Sequence, residues 1–239
     1  MVSTDSSSAG SGAAPSVVSG NWQTNKRLAT VWDRGVKSRP VAMVYGAVVF
    51  ATDNRRMYRH MASAVALPEG TSVLDVPSGG GVVFLGLRPG KRLRYVAADI
   101  SDLMLDRARA EAGRRGLDFV EFEKADATAL PFKDEEFDVV VSYSGLHCVP
   151  DPETAVREWS RVLKPGGAVK GSVVVRGASY IPDRFINLWV KLRILDVVTP
   201  VEEVRRWFRD AGLRVVRTET SGAILYFELE KPVSKASAP

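Results

Sequence analysis

A glycine-rich turn and the aspartates around it are the residues of this chain whose types and spacing could do chemistry. The segment Val73-Leu74-Asp75-Val76-Pro77-Ser78-Gly79-Gly80-Gly81 runs from an apolar stretch through a carboxylate into three successive glycines. Glycine has no Cβ, so a ligand can approach the backbone closely there. Asp99 follows about 20 residues later, where a carboxylate in a nucleotide-binding fold accepts hydrogen bonds from ribose hydroxyls. The pattern indicates a site for a nucleotide-like ligand that carries a positive charge.

Two further residues could complete this site. Asp126 follows the third predicted strand and could accept a hydrogen bond from an exocyclic amine such as N6 of adenine. Met104 is placed to pack on a flat ring. Each residue also has an ordinary structural interpretation: Asp75 as a strand-end cap, Asp99 as the neighbour of a helix N-cap, Met104 as core. Their joint match to one ligand favours the binding interpretation.

The turn lacks the sequence of the common phosphate-binding loops. Pro77 stands where the first glycine of a G-x-G-x-x-G motif would be, and no G-K-[ST] follows. Pyrophosphate binding therefore loses its main support.

Alternating strands and helices are predicted to position these residues. Ser101 is a good N-cap for the helix after Asp99, and Gly116 is suited to its left-handed C-cap. Asp151-Pro152 begins a second helix and Thr199-Pro200 a last one. Strands are predicted over 72–76, 95–99, 119–123, 137–142, 168–175, 214–220 and 223–230, the last two as a hairpin around Ser221-Gly222. The alternation predicts an α/β fold with a mostly parallel sheet and ligands at the carboxyl ends of its strands.

Composition narrows the class of protein. The chain has 239 residues, of which 45% are apolar and 26% charged, as expected for a globular α/β domain. The single cysteine, Cys148, excludes an internal disulfide and fits a reducing, cytoplasmic compartment. One cysteine and two histidines argue against a zinc site, so no metal is expected. We find no bilayer-spanning apolar run and no secretory signal pattern.

Residues 22–231 are predicted to form one domain between two disordered tails. The tails cover 1–21 and 232–239; residues 3–20 are rich in Ser, Gly and Ala and cannot bury enough apolar surface to offset their ordering entropy. Residues 22–66 look mainly helical, most clearly over 55–66. We expect 22–70 to form a helical lid and 176–198 an insertion on the substrate side.

The net charge of +5 is unevenly distributed. Residues 22–94 contain twelve basic and four acidic residues. A basic region of this kind could face an acidic substrate, a nucleic acid or an anionic membrane surface. A solvated helical face is the ordinary interpretation.

At this point the chain resembles a known family, the class I S-adenosylmethionine (SAM)-dependent methyltransferases. Within it the resemblance is to the small-molecule group (methyltransferase type 11) that includes the ubiquinone/menaquinone C-methyltransferases. It extends over residues 70–175. Besides the turn, the matching segments are Ala97-Ala98-Asp99-Ile100-Ser101, Lys124-Ala125-Asp126-Ala127 with Leu130-Pro131-Phe132, Phe137-Asp138-Val139-Val140-Val141-Ser142, Leu146-His147 and Arg161-Val162-Leu163-Lys164-Pro165-Gly166-Gly167.

The resemblance implies a Rossmann-like fold and a cofactor. The sheet would have seven strands, mostly parallel, with an antiparallel C-terminal strand and helices on both faces. SAM would be the methyl donor and S-adenosylhomocysteine the product. The implied cofactor residues are Asp75, Pro77, Ser78, Gly79 and Gly81 at the methionine part, Asp99 at the ribose, Ile100 against the adenine, Asp126 and Ala127 at the adenine edge, and Ser142 near the methionine part.

Pro77 is where the chain departs from the family, which normally has glycine there. Proline fixes φ at about −65° and has no N–H. Its carbonyl oxygen can still accept a hydrogen bond from the ammonium group of SAM. We therefore expect the site to be kept, with an altered geometry of the turn.

A base and a substrate pocket complete the sequence-based hypothesis. A sulfonium is already a good leaving group, so the enzyme mainly aligns a nucleophile behind the methyl and excludes water. His147 is the candidate base if the nucleophile must lose a proton, with a neutral hydrogen-bonding role as the alternative. Nothing nearby marks Cys148 as an activated nucleophile. Candidate substrate-pocket residues are Tyr45, Phe50, Tyr58, Tyr143 and Tyr180.

Three function hypotheses stay open, and so does the role of residues 184–195. The first is methyl transfer to an O or C centre of a small apolar or aromatic metabolite by in-line displacement. The second is RNA or DNA methylation, which the basic region suggests; against it, Ser142-Tyr143-Ser144-Gly145 replaces the Asn/Asp-Pro-Pro-aromatic motif of base-amine methylases. The third is a non-methylating relative, since a fold does not fix a function. Residues 184–195 could be a lid, a homodimer face, a weak membrane-surface contact or a helix packed on its own core.

Overall fold

The computed structural model describes residues 35, 37–177, 180–192, 195 and 198–233. The predicted tail over 1–21, residues 22–34 of the predicted lid and residues 234–239 lie outside these ranges. Two helices come first, α1 (Arg39–Phe50) and α2 (Asn54–Ala64), as expected for the predicted helical region. No helix within the described ranges is long and apolar enough to span a bilayer.

Eight strands of the described chain form one sheet. Its main path runs β3-β2-β1-β4-β5-β8-β7, and the short β6 pairs with β5 beside it. β8 is antiparallel to both of its neighbours, whereas the other described pairings are parallel. The seven-stranded, mostly parallel sheet with an antiparallel C-terminal strand is thus confirmed, with β6 as an addition. The strands are β1 (Ser72–Asp75), β2 (Arg94–Asp99), β3 (Val120–Lys124), β4 (Phe137–Tyr143), β5 (Leu163–Arg176), β6 (Thr199–Pro200), β7 (Arg214–Ser221) and β8 (Ile224–Glu230).

Caps fix where the remaining helices begin and end. These helices are α3 (Asp102–Arg115), α4 (Pro152–Val162), α5 (Tyr180–Lys191) and α6 (Val201–Asp210). Before α3 the Ser101 hydroxyl accepts the N–H of Met104, and after it Gly116 has a left-handed φ of 64°. Before α4 the Asp151 carboxylate accepts the N–H of Thr154 at 3.0 Å. These caps are the predicted ones.

Helices cover both faces of the sheet, each over its own apolar core. One core contains Phe50 and Met61 from α1 and α2, Ala108 from α3 and Ile186 from α5. The other contains side chains of α4 and α6, among them Trp159, which is fully buried. The helices α1, α2 and α5 therefore cover one face of the sheet, and α4 and α6 cover the other.

Most predicted strand boundaries differ from the structure by one residue, and two predictions differ by more. β5 begins at Leu163 and not at residue 168, because Leu163 already pairs with Phe137 and an irregularity in the register carries the Pro-Gly-Gly segment into the strand. Thr199-Pro200 precedes α6 as predicted, but the two residues pair with Val175 and Arg176 as β6, and no side chain caps the helix.

The hairpin between β7 and β8 docks on the connection between α1 and α2. The N–H of Ala223 donates to the Phe50 carbonyl at 2.8 Å, and the Thr52 hydroxyl donates to Ser221 at 2.9 Å. Gly222 lies so close that a Cβ there would overlap the carbonyl oxygens of Phe50 and Ala51. The predicted hairpin thus also holds the first two helices in place.

Gly222→Ala should lower the thermal stability more than Gly212→Ala. Both glycines have positive φ, 55° and 74°, so alanine meets a left-handed strain of about 1–2 kcal/mol at each. Only at position 222 does the methyl group meet backbone, since nothing lies within 4 Å of a Cβ at position 212. Thermal unfolding of the two variants measures the difference. Equal losses would contradict the docking of the hairpin on α1.

Candidate cofactor and active site

A cavity of about 460 Å³ opens at the carboxyl ends of the central strands. β1 has β2 on one side and β4 on the other, so the strand order reverses at this point, where open α/β sheets bind their ligands. The volume is within the range of about 300–1,000 Å³ that is usual for small-molecule sites. The predicted site residues that line it are Pro77, Ser78, Gly79, Asp99, Ile100, Met104, Asp126, Ala127, Tyr45, Phe50, Tyr143 and His147.

The glycine turn presents open backbone to this cavity. Gly79 has a φ of 52°, and nothing lies within 4 Å of the place where its Cβ would be. Gly81 has a φ of 81° and is needed for packing, because a Cβ there would press on the ring of Phe84. Gly81 is buried and does not line the cavity; its part is to shape the turn that Gly79 exposes.

Pro77 is accommodated by a second glycine on the neighbouring strand end. The Val76–Pro77 peptide bond is cis. A Cβ on Gly145 would lie 2.8 Å from Cδ of Pro77, so the proline ring rests directly on the Gly145 backbone. The proline ring thus packs the turn after β1 against the loop after β4.

Asp99 joins the turn to the start of α3. Its two carboxylate oxygens accept the N–H groups of Gly79 and Ser101, each at 2.9 Å. Burial raises the pKa of Asp99 to about 6, and the backbone hydrogen bonds oppose that rise. A carboxylate has about four acceptor positions, so Asp99 can hold the turn and still accept from ribose hydroxyls.

Asp75 lies beneath the turn and not on the cavity wall. It is fully buried, and its Oδ2 accepts the Tyr95 hydroxyl at 2.9 Å. Its Oδ1 has no hydrogen-bond partner among the described residues. Burial raises the pKa of Asp75 to about 8, with the charge of Asp99 adding to the rise and Tyr95 opposing it. Asp75 can therefore respond to a nearby cation by giving up its proton.

Two serines near the turn also keep buried hydroxyls without partners in the described chain. Ser78 is 3% exposed and lines the cavity, whereas Ser142 is fully buried and does not. A buried polar group without a hydrogen bond costs about 1–3 kcal/mol, so such atoms mark where a polar ligand or water would bind. For Ser142 the structure gives no direct contact with the cavity.

The far end of the cavity is suited to a flat ring with an amine edge. Ile100, Met104 and Ala127 are apolar side chains on its wall, and Asp126 lies beside them. The Oδ1 atom of Asp126 accepts the N–H of Thr128 at 2.8 Å, which fixes the carboxylate in its loop. This arrangement brings together the residues that the sequence assigned to adenine.

His147 has the properties of the neutral hydrogen-bonding alternative. It is 2% exposed, and its Nδ1 accepts the N–H of Val174 at 3.4 Å. Burial lowers its pKa to about 4. With Nδ1 as the acceptor, the neutral ring carries its proton on Nε2. Although His147 lines the cavity, this geometry does not support the base role.

The remaining wall is aromatic and apolar. Tyr45 stacks on Trp189 of α5 at 5.4 Å between ring centroids and meets Phe50 edge-on at 5.5 Å. Burial raises the pKa of the Tyr45 hydroxyl well above its usual range. Tyr58 packs against the core and does not line the cavity, and the side chain of Tyr180 lies outside the described part.

Several wall residues had no signal that singled them out in the sequence. They come from the first two helices, from the insertion and from β8. In α2 Asn54 and Met57 are three residues apart, and in α1 Ala42 is three residues from the predicted Tyr45, a spacing that an amphipathic pattern could have flagged. They are Ala42, Asn54, Met57, Leu195 and Ile224.

Comparison with known proteins identifies the family. A family model described as a methyltransferase domain matches residues 74–170. The demethylmenaquinone methyltransferase of Clavibacter sepedonicus is 33% identical over 201 residues, covering 74% of this chain and 80% of that protein. The ubiquinone/menaquinone C-methyltransferase of Shewanella frigidimarina is 38% identical over 112 residues, 46% of this chain and 45% of that protein. The chain belongs to the class I SAM-dependent methyltransferases, a family of enzymes.

Not all similar proteins are matched over their whole length. An uncharacterized Mycobacterium tuberculosis protein is 36% identical over 110 residues, and the match spans only 39% of that protein. Among solved structures, a possible histamine N-methyltransferase of Thermotoga maritima has a TM-score of 0.62 at 24% identity, covering 90% of this chain and 99% of that one. The [4+2]-cyclase SpnF has a TM-score of 0.64 at 21% identity, covering 76% and 83%. These two structures show the fold alone.

The raised pKa of Asp75 should make the ligand-free protein less stable as the pH rises. The folded state keeps this proton above the unfolded pKa of about 3.9, so stability falls until the pH passes about 8, by at most about 1.4 kcal/mol per pH unit. Asp99 contributes only up to about pH 6. The two histidines, whose pKa values are lowered in the folded state, give the opposite slope up to about pH 7. Denaturant unfolding between about pH 7 and 8 should therefore show a fall that Asp75→Asn removes.

Asp118→Asn, a change at an exposed carboxylate, is the matched control and should keep the wild-type fall. Parallel pH curves for Asp75→Asn and the wild type would contradict the assignment to Asp75.

Proposed function

We propose that this protein transfers the methyl group of SAM to an O or C centre of a small apolar or aromatic metabolite by in-line displacement. One observation carries the proposal. A single cavity joins the Gly79 turn and Asp99 to the aromatic wall at Tyr45 and Phe50. A polar cofactor part and an apolar acceptor part thus meet in one enclosed space.

The residues present fit SAM. The backbone at Gly79 is open, because nothing lies within 4 Å of the place where a Cβ would be, and the buried hydroxyl of Ser78 has no hydrogen-bond partner in the described chain. Asp99 would hold the ribose, and Ile100 and Met104 would face the adenine. Bound SAM supplies a methyl group on a positively charged sulfur, which needs no metal or redox partner to react. The chain supplies alignment and exclusion of water.

The helices above the cavity support the proposed lid and insertion. Ala42 and Tyr45 of α1 and Met57 of α2 line it from the 22–70 region, and Leu195 lines it from the 176–198 region. These side chains would shield the transferred methyl group from water.

The relatives suggest the class of acceptor. Two of them are named for menaquinone and ubiquinone biosynthesis. An aromatic ring with apolar substituents suits the wall of Tyr45, Phe50 and Ile224. A single cysteine is consistent with a reducing, cytoplasmic setting for this reaction.

Nucleic-acid methylation has less support. Three of the twelve basic side chains of the 22–94 region are paired with carboxylates: Lys37 with Glu111, Arg56 with Glu219 and Arg94 with Glu136. These pairs balance part of the positive charge within the chain. The similarity to a cyclase in fold leaves a non-methylating activity as the other alternative.

Excess SAM should raise the melting temperature, and Asp99→Ala should abolish the rise. A ligand at 100 times its Kd stabilises the folded state by about 2.7 kcal/mol. Asp99→Ala removes the acceptor for the ribose and releases the Gly79 turn. Asp102→Ala, at an exposed carboxylate on α3, is the control and should keep the SAM effect. The absence of a shift in the wild type at any SAM concentration would refute the proposal.

The acceptor can then be sought by incubating metabolite extracts with the protein and SAM. Mass spectrometry should detect a compound that gains one methyl group with the wild type and not with Asp99→Ala.

A weak membrane contact would explain how an apolar acceptor arrives. The exposed apolar side chains of this part of the described chain are Val41, Val44 and Val48 of α1, Leu188 of α5 and Leu192 just after α5, which are 48–66% exposed. α1 also lines the cavity through Ala42 and Tyr45. Val44→Asp should reduce co-sedimentation with anionic phospholipid vesicles and leave the SAM-induced shift intact. Equal sedimentation of the two proteins would exclude this surface.

A further inference from the structure

Three titratable side chains from three elements form a line that begins at the cavity. The first is Tyr143, the last residue of β4, which lines the cavity and is 4% exposed. Its hydroxyl lies 2.6 Å from Nδ1 of His60 on α2. On the other side of the imidazole, Nε2 lies 3.7 Å from Oε1 of Glu228 on β8. The arrangement is a phenol, an imidazole and a carboxylate in sequence.

The register of the sheet fixes this line. Tyr143 pairs with Ser172 of β5, and Ser172 pairs with Tyr226 of β8, so these residues form one row across three strands. Glu228 is two residues beyond Tyr226 and therefore points to the same face. α2 crosses this face, and the ring of His60 packs against both tyrosines, at 5.7 Å from Tyr143 and 5.4 Å from Tyr226.

Tyr143 is also close to the glycine turn that contains Pro77 and Gly79. The residues that follow it, Ser144 and Gly145, lead to the contact between Gly145 and Pro77. Beneath the turn, the charge of Asp75 is close enough to raise the pKa of Tyr143. Tyr143 therefore lines the cavity close to the glycine turn, and its hydroxyl is held by His60.

The protonation states make Tyr143 the hydrogen-bond donor and His60 the acceptor in the resting site. Burial raises the pKa of Tyr143 well above its usual range, so the hydroxyl keeps its proton and donates it to Nδ1. Burial lowers the pKa of His60; Lys170 and Arg217 add to this, and Glu228 and Glu219 oppose it. The imidazole is thus a neutral acceptor at Nδ1, and its Nε2 lies 3.7 Å from Glu228, within ion-pair distance once the ring is protonated.

We propose that Tyr143, His60 and Glu228 form a proton relay that deprotonates the methyl acceptor. The inference rests on the proposed methyl transfer and narrows its substrate to a compound whose reacting centre loses a proton, such as a phenol or a hydroquinone. Tyr143 is the catalytic residue, and His60 and Glu228 act through it.

The proposed step balances in atoms and electrons. The acceptor oxygen forms its bond to the methyl carbon while the carbon–sulfur bond breaks, and the electron pair of that bond stays with sulfur. The acceptor proton moves to the Tyr143 oxygen as the Tyr143 proton moves to Nδ1 of His60. The Glu228 carboxylate stabilises the resulting imidazolium. The His60 side chain, 17% exposed, then releases the proton to water.

His60 is better placed than His147 to accept a proton. Both histidines are neutral, but Nδ1 of His147 accepts from a backbone N–H, and no carboxylate is among the causes that shift its pKa. An imidazolium at His147 would be buried without compensation, whereas one at His60 would have Glu228 beside it.

Methylation of two probe acceptors by Tyr143→Phe and His60→Gln tests the relay. With naphthohydroquinone, whose hydroxyls are protonated at neutral pH, both variants should lose about 10²–10⁴-fold in kcat. With a nitrophenol that is already ionised at the assay pH, the loss should be below about tenfold, because no proton needs to be removed. Tyr226→Phe, which keeps a ring against His60, is the control and should retain activity on both probes.

The SAM-induced rise in melting temperature separates failure of the relay from failure of the proposed function. All variants should keep this rise, since none removes a cofactor contact. No rise in the wild type would refute the proposed function itself. A normal rise with equal activity losses on both probes, or with no loss in Tyr143→Phe, would overturn the relay. A wild type that binds SAM and methylates neither probe would overturn the acceptor class.

Titration of His60 by NMR gives a readout independent of activity. The chain has only two histidines, so the two imidazole signals can be assigned with His60→Gln. Glu228→Gln should lower the pKa of His60 further, because the carboxylate favours the charged ring. Tyr143→Phe should raise it, because the phenol hydroxyl stabilises the neutral ring. An unchanged pKa of His60 in both variants would also overturn the relay.

Discussion

The carboxylate of Asp99 is the constraint on which the rest of the site depends. It accepts one N–H from the turn after β1 and one from the start of α3, so it joins two segments that the sequence separates by about 20 residues. The N–H of Ser78 adds a bond to the Ala98 carbonyl at 2.8 Å. The pairing of β1 with β2 extends to Asp75 and Ala97, so the turn after β1 lies beside the end of β2. The turn and Asp99 together form part of the cavity wall.

The two faces of the sheet differ in the side chains that they bury. On the face of α4 and α6, the large side chains are apolar and fully buried, such as Trp159 and Phe208. On the face of α1, α2 and α5, the strands carry Asp75, Tyr95 and Tyr143, and α1 and α2 also line the cavity. Polar groups on an inner face destabilise a core, so we infer that these three side chains have a role beyond packing.

Most of the fold could be predicted from the sequence because its signals are local. The caps at Ser101, Gly116 and Asp151 involve hydrogen bonds between residues three to five apart, and the buried strands are continuous apolar runs. The start of β5 was not predicted, since Leu163 pairs with a residue 26 positions away, Phe137, and no local pattern records that pairing.

The site was predictable only where it follows the strand ends. Asp99, Ile100 and Met104 line the cavity as expected, whereas Asp75 points beneath the turn and Ser142 away from the wall. The contact between His60 and Tyr143 joins residues 83 positions apart. Such a contact depends on where α2 crosses the sheet, which the hairpin at Gly222 determines through its fit to Phe50. Sequence spacing alone therefore pointed to His147 as the base.

The buried polar atoms of the site that lack hydrogen-bond partners among the described residues support its assignment as a binding site. Asp75 and Ser78 keep buried oxygens without partners in the described chain, and each such atom costs about 1–3 kcal/mol. A chain selected for stability alone would gain by replacing them with apolar side chains of similar size. A cationic, polar ligand would offset part of this cost, because it could hydrogen-bond Ser78 and would favour the charged form of Asp75 beneath the turn. Under the proposed binding of SAM, the groups that weaken the ligand-free fold would thus contribute to affinity.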